Sequence, residues 1–113
     1  MPVTMYHNPR CNTSRRTLAL LRERGVEPEI VEYLKTPPSA PELKQILGQL
    51  KIPAVKLLRK KEAAAAGIDP KALSEDQLVA AMVEHPIVIE RPIVISGGKA
   101  ALGRPPEAVL AVL

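Results

Sequence analysis

The spacing of apolar positions along this chain changes period several times, and each change marks an element. Val3-Thr4-Met5-Tyr6-His7 alternates and carries β-formers, which predicts a first strand. Asn8-Pro9 breaks the pattern. From Asn12 to about Arg24, Leu18, Ala19 and Leu21 fall at helical spacing with charge on the other face, and Gly25 is placed to end that helix in the left-handed conformation. Glu29 to Leu34 alternates again as a second strand, and Thr36-Pro37-Pro38 is a turn or extended linker. Ser39 and Glu42 have the spacing of a capping box, opening a helix with Leu43, Ile46, Leu47 and Leu50 on one face. Beyond Ile52-Pro53, a short helix through Val55, Leu57 and Leu58 reaches Arg59-Lys60-Lys61-Glu62 and continues in an alanine run to Gly67. Ser74 and Gln77 repeat the capping-box spacing before Leu78, Val79, Met82 and Val83, and His85-Pro86 ends that helix.

The last third shortens its period. Arg91-Pro92-Ile93-Val94-Ile95 reads as a buried strand, Gly97-Gly98 as a hairpin turn, and Ala100-Ala101-Leu102 as the returning strand. Pro105-Pro106 suits a first helical turn, with Val109, Leu110 and Leu113 giving the final helix an apolar face. The order is β-α-β, a helical block, then β-hairpin-α. The strand–helix–strand unit predicts a parallel pair, and the hairpin extends the sheet antiparallel. The expected fold is therefore α/β: a thioredoxin/glutaredoxin-like four-stranded mixed sheet with a helical insertion between its βαβ and ββα halves. At 113 residues the chain is expected to form one domain, residues 1–113. Its core must be aliphatic, because there is no Phe or Trp and only two Tyr.

Charge and cysteine count narrow the function classes. The net charge of +4 suits a nucleic acid, a small anionic substrate or simply a solvated basic surface. Two aromatic rings are too few for base stacking, so nucleic acid is not the expected partner. A single cysteine cannot close an internal disulfide and fits a reducing compartment. The N-terminal residues lack a signal-peptide pattern, and no apolar run is long enough to span a membrane. A cytoplasmic monomer that does not engage membranes is the expectation. Two His and one Cys, scattered, give no metal constellation; no tightly bound cofactor is expected.

The chemistry concentrates at the first turn. Cys11 falls where strand one gives way to helix one, so free backbone N–H groups and the positive end of the helix dipole face it. Arg10, Arg15 and Arg16 add charge nearby, and such surroundings lower a thiol's pKa and make it a nucleophile. The N–H groups of Asn12, Thr13 and Ser14 can also cradle an anion. The plainer alternative is a small buried apolar cysteine. The polar neighbours Asn8, Pro9, Arg10, Asn12, Thr13 and Ser14 favour the reactive thiol. Cys11-Asn12-Thr13-Ser14 is a C-x-x-S pattern without a resolving cysteine, so any two-electron reduction must draw a thiol such as glutathione from outside. His7 either supports the thiolate or is a strand-end His bonded to backbone, and His85 fits a helix-end residue.

Three arginines stand at element boundaries: Arg59, Arg91 and Arg104. Singly, each is an ordinary surface residue; converging at a helix start, their planar guanidinium groups would hold a tetrahedral oxyanion against the thiolate. Pro92 is a candidate cis-proline beside the thiol, the alternative being a trans edge proline.

The stretch Tyr6-His7-Asn8-Pro9-Arg10-Cys11-Asn12-Thr13-Ser14-Arg15 resembles the active-site segment of the ArsC-type arsenate reductases, glutathione- and glutaredoxin-coupled enzymes. Tyr33 to Pro38, Leu57 to Lys60, His85 to Val94 and Gly103 to Glu107 resemble further blocks of that family in the same order, most like its compact YfgD-like subgroup. The resemblance implies Cys11 as nucleophile, Arg59, Arg91 and Arg104 as oxyanion-binding residues, and His7 and Ser14 as supporting residues. Asn12, Thr13, Arg15 and Pro92 complete the expected surroundings. It further implies arsenate or a similar oxyanion as substrate, glutathione as co-substrate and glutaredoxin as partner. Two other functions fit the residues: a monothiol glutaredoxin-like thiol transferase or deglutathionylase, and an Spx-like redox-sensing regulator without enzymatic activity.

Overall fold

The computed structural model describes residues 2–113; Met1, where the expected domain begins, lies outside the described residues. The chain divides into two compact units, one built from the segments up to Thr36 and from Arg91 to Leu113, the other from Pro37–Glu90.

The first unit holds the sheet. Its strands are β1 (Val3–Tyr6), β2 (Glu29–Val31), β3 (Ile93–Ser96) and β4 (Lys99–Leu102), in the order β2-β1-β3-β4. β1 and β2 are parallel, while β1–β3 and β3–β4 are antiparallel, as the element order predicts. Register places Ile30, Met5, Val94 and Ala101 in one row across all four strands. Because side chains alternate faces, that row shares one side of the sheet. There it joins Val3, and α1 (Asn12–Glu23) covers it with Leu18 and Leu21. Val109 and Val112 add the C-terminal segment to the same aliphatic core. The expected final helix forms as a 3-10 helix, Pro106–Val112; of its apolar face Val109 is fully buried and Leu113 is exposed.

Local chemistry sets the ends. Gly25 sits at φ +75°, in the left-handed region that lets the chain leave α1 without a Cβ penalty. β2 is shorter than its alternating pattern suggests. The N–H groups of Lys35 and Thr36 both donate to the Glu32 carbonyl, so the chain turns after Val31 and buries Tyr33.

The second unit is helical: α2 (Ala40–Leu50), α3 (Ala54–Leu57), α4 (Lys60–Ala65) and α5 (Glu75–Glu84), then a 3-10 turn, Pro86–Val88. Both expected capping boxes form, Ser39 with Glu42 and Ser74 with Gln77. The expected continuous helix from Val55 toward Gly67 does not. Leu58 is extended and makes an antiparallel bridge to Ile89, with Arg59 N–H on the Val88 carbonyl (2.7 Å) and Glu90 N–H on the Leu57 carbonyl (2.8 Å). Consecutive residues of a helix point about 100° apart. Breaking it at Leu58 allows Leu57 and Leu58 both to be buried. Among the described residues no helix is long and apolar enough to cross a membrane.

Candidate active site

The C-terminal end of β1 delivers His7 and Asn8 to a loop that closes on the start of α1. Cys11 is the N-cap of that helix, with extended backbone (φ −93°, ψ 122°). Its N–H donates to the Asn8 carbonyl (3.0 Å), and its carbonyl accepts from Arg15 N–H (3.0 Å). Its thiol faces the unpaired N–H groups of the first helical turn.

The loop is held from inside by Ser14, which is fully buried. Ser14 Oγ lies 2.6 Å from His7 Nδ1 and accepts from Asn8 N–H at 3.1 Å. His7 and Asn8 are buried as well, so this stretch is more enclosed than its polar composition suggests. Burial, the largest influence, lowers the His7 pKa; Glu32 opposes this, while Arg22 and Arg15 add to it. At neutral pH His7 is therefore the uncharged partner of the Ser14 hydroxyl.

The Cys11 thiol is pulled in two directions. Burial, the largest single influence, pushes its pKa up; the Ser14 N–H, the Arg91 guanidinium, the Thr13 N–H and the Arg104 guanidinium pull it down. The net result lies below the ordinary thiol value. Arg104 donates from Nη2 to Cys11 Sγ at 3.8 Å and from Nε to the Arg91 carbonyl at 2.8 Å, so the two arginines are tied together beside the sulfur.

The source of positive charge differs from the expectation placed on Arg10, Arg15 and Arg16. Arg10 and Arg16 are exposed on the loop and helix surface. Arg15 is occupied in bracing the loop, through Nη1 to the Pro9 carbonyl (2.8 Å) and Nη2 to Asn12 Oδ1 (2.7 Å). The charges that act on the sulfur come from residues some eighty to ninety positions away in sequence. Of the three boundary arginines, Arg91 and Arg104 share the Cys11 unit. Arg59 belongs to the helical unit, where it bonds the Ile87 carbonyl (3.2 Å) and Glu62 (3.0 Å). The Arg91–Pro92 peptide bond is cis, as anticipated for Pro92, and Arg104–Pro105 is a second cis bond that the sequence did not single out.

Two further residues belong to this neighbourhood without having been anticipated. Thr17 is fully buried and donates from Oγ1 to the Thr13 carbonyl (2.8 Å). Gly103 is buried between Thr17 and Pro92, and its N–H donates to the Pro92 carbonyl (2.9 Å). The signal for Thr17 was present: it lies three residues after Ser14 and four before Leu21, on the helix face turned to the core. Among the described residues no group of three or more His, Cys, Asp or Glu side chains could hold a metal ion.

Comparison with known proteins places this geometry in a family. The ArsC family pattern matches residues 6–112. The uncharacterized protein YfgD of Escherichia coli strain K12 is 48% identical, over 98% of this chain and 96% of its own. An arsenate reductase of Neisseria meningitidis serogroup A is 45% identical, over 98% of this chain and 97% of its own. The solved structure of the arsenate reductase from Vibrio cholerae is 47% identical and superposes with a TM-score of 0.89, covering 100% of this chain and 98% of that one. With matches of this extent, on both sequence and structure, the chain belongs to the ArsC family.

Proposed function

We propose that this protein reduces arsenate to arsenite, with Cys11 as nucleophile and with glutathione and glutaredoxin as external reductants. The observation that carries the reading is the sulfur at the N-cap of α1 with the Arg104 guanidinium 3.8 Å away and a lowered pKa. A thiolate is the reactive form of cysteine, and a cationic rim draws an oxyanion to it. Relatives named arsenate reductase, 45% and 47% identical over nearly the whole chain, supply the substrate.

In this reading the Cys11 thiolate attacks arsenic(V), and one arsenate oxygen leaves as water after protonation. Arg91 and Arg104 balance the charge of the remaining oxygens, while the N–H groups of Thr13 and Ser14 face the sulfur. Glutathione then supplies the second sulfur. As the two sulfurs join in a disulfide, the electron pair of the arsenic–sulfur bond stays on arsenic, which leaves as arsenite. Glutaredoxin attacks the glutathione sulfur of the mixed disulfide and frees Cys11. An outside thiol is required because the chain has one cysteine. Arg59, singled out by its element boundary and by the resemblance, is the third proposed oxyanion-binding residue.

The test is a coupled assay of arsenite formation with glutathione, glutaredoxin and NADPH-driven recycling. Wild type turns over and Cys11→Ser does not; turnover retained in Cys11→Ser removes the proposal. A parallel assay replaces arsenate with a glutathionylated protein. Turnover there, with none on arsenate, assigns the thiol to deglutathionylation instead.

A further inference from the structure

Gly103 is a glycine for reasons of space. Its backbone is outside the left-handed region, so no turn requires the missing side chain. A Cβ at this position would lie 2.6 Å from Thr17 Oγ1, 2.6 Å from Pro92 Cγ and 3.2 Å from Pro92 Cδ. Real Cβ atoms essentially never come within 3.0 Å of another heavy atom, so with two such approaches at 2.6 Å a side chain here must move something. Thr17 is poorly placed to yield: it is fully buried and its hydroxyl is committed to the Thr13 carbonyl at 2.8 Å. Pro92 is buried too, and its carbonyl accepts from Gly103 N–H. The next residue is Arg104, which reaches Cys11 Sγ at 3.8 Å and the Arg91 carbonyl at 2.8 Å.

We propose that Thr17 and Gly103 are positioning residues. Their close approach, shared with Pro92, seats the chain after β4 against α1 and so fixes how near the Arg104 guanidinium comes to the Cys11 sulfur. Thr17 acts from the second turn of the helix whose first turn faces the same sulfur. One contact therefore sets the spacing of two groups that act on the thiolate. The inference rests on Cys11 being the working thiolate, but its test needs no arsenate, so the two proposals fail separately.

The experiment is ultraviolet titration of the Cys11 thiolate in Gly103→Ala, alone and in an Arg104→Gln background. The expected result is a rise of about half a pKa unit with Arg104 present, from a displaced opposite charge, and little or none with Arg104→Gln. Adding Thr17→Ala, which removes one of the two close contacts, brings the midpoint part of the way back. An unchanged midpoint in folded Gly103→Ala overturns the proposal. So does an equal rise in both backgrounds, which marks a general loosening of the fold rather than an effect through Arg104. Should Gly103→Ala alone not fold, the Thr17→Ala/Gly103→Ala pair carries the same comparison between Arg104 backgrounds.

Discussion

At the scale of single residues, Ser14 and His7 link stability to the chemistry. Ser14 Oγ is the shared partner of His7 Nδ1 and Asn8 N–H inside the loop. Ser14→Ala leaves two buried polar groups without that partner and is expected to cost about 1–3 kcal/mol, read by urea unfolding. His7 has its pKa lowered by burial, so the unfolded chain binds a proton more readily than the native one as pH falls below 6.5. Stability present above 6.5 is therefore lost on acidification until the folded-state value is passed. Unfolding curves at neutral and mildly acidic pH check this: the loss is smaller in His7→Asn, and an equal loss in both assigns it elsewhere. The depressed Cys11 thiol acts in the same direction at higher pH. Its contribution is complete above the unfolded thiol's pKa and fades as pH falls through the folded value. The sequence drew attention to Cys11 and Ser14, because a strand-to-helix junction exposes its own N–H groups, and left His7 open between supporting the thiolate and bonding backbone; in the structure its Nδ1 lies 2.6 Å from Ser14 Oγ. The charges that act on the sulfur are those of Arg91 and Arg104, which the sequence marks by their element boundaries, rather than those of Arg10, Arg15 and Arg16, its neighbours along the chain. For Thr17 the helical spacing from Ser14 and Leu21 competes with its polarity, which on a helix suggests solvent until the neighbours are known.

Among the elements, the legible features were those whose signals are local. Both capping boxes, the glycine exit from α1 and the Gly97-Gly98 turn formed where short-range rules place them. The break at Leu58 was not legible, because its cause is pairing with Ile89, on the far side of α5 in sequence. The curtailed β2 has a similar origin: alternation continues to Leu34, but the Glu32 carbonyl captures two N–H groups and turns the chain. One element-scale prediction tests the capping argument. Ser74 Oγ accepts from Gln77 N–H, and Gln77 Oε1 accepts from Ser74 N–H. Ser74→Ala removes the first bond and weakens the start of α5, which carries the buried Leu78, Val79 and Met82. The expected cost is about 1 kcal/mol by urea unfolding. An unchanged unfolding curve would contradict the capping argument.

At the scale of the whole molecule, the sheet-bearing unit is assembled from both ends of the chain. Truncation after Glu90 removes β3, β4 and the C-terminal 3-10 helix, and leaves β1 without its antiparallel neighbour. The truncated chain is expected to lose its sheet signal in circular dichroism and its lowered thiol pKa together. The same architecture gathers the proposed chemistry, since Cys11 comes from the first half and Arg91 and Arg104 from the second. The proposed chemistry therefore depends on the ionisation of one sulfur. Ultraviolet titration of that thiol in wild type and in Arg91→Gln tests it most directly. The expected midpoint lies below that of a free cysteine in wild type and returns toward the free value when the Arg91 charge is removed. A wild-type midpoint equal to that of a free cysteine, unmoved by Arg91→Gln, would contradict it.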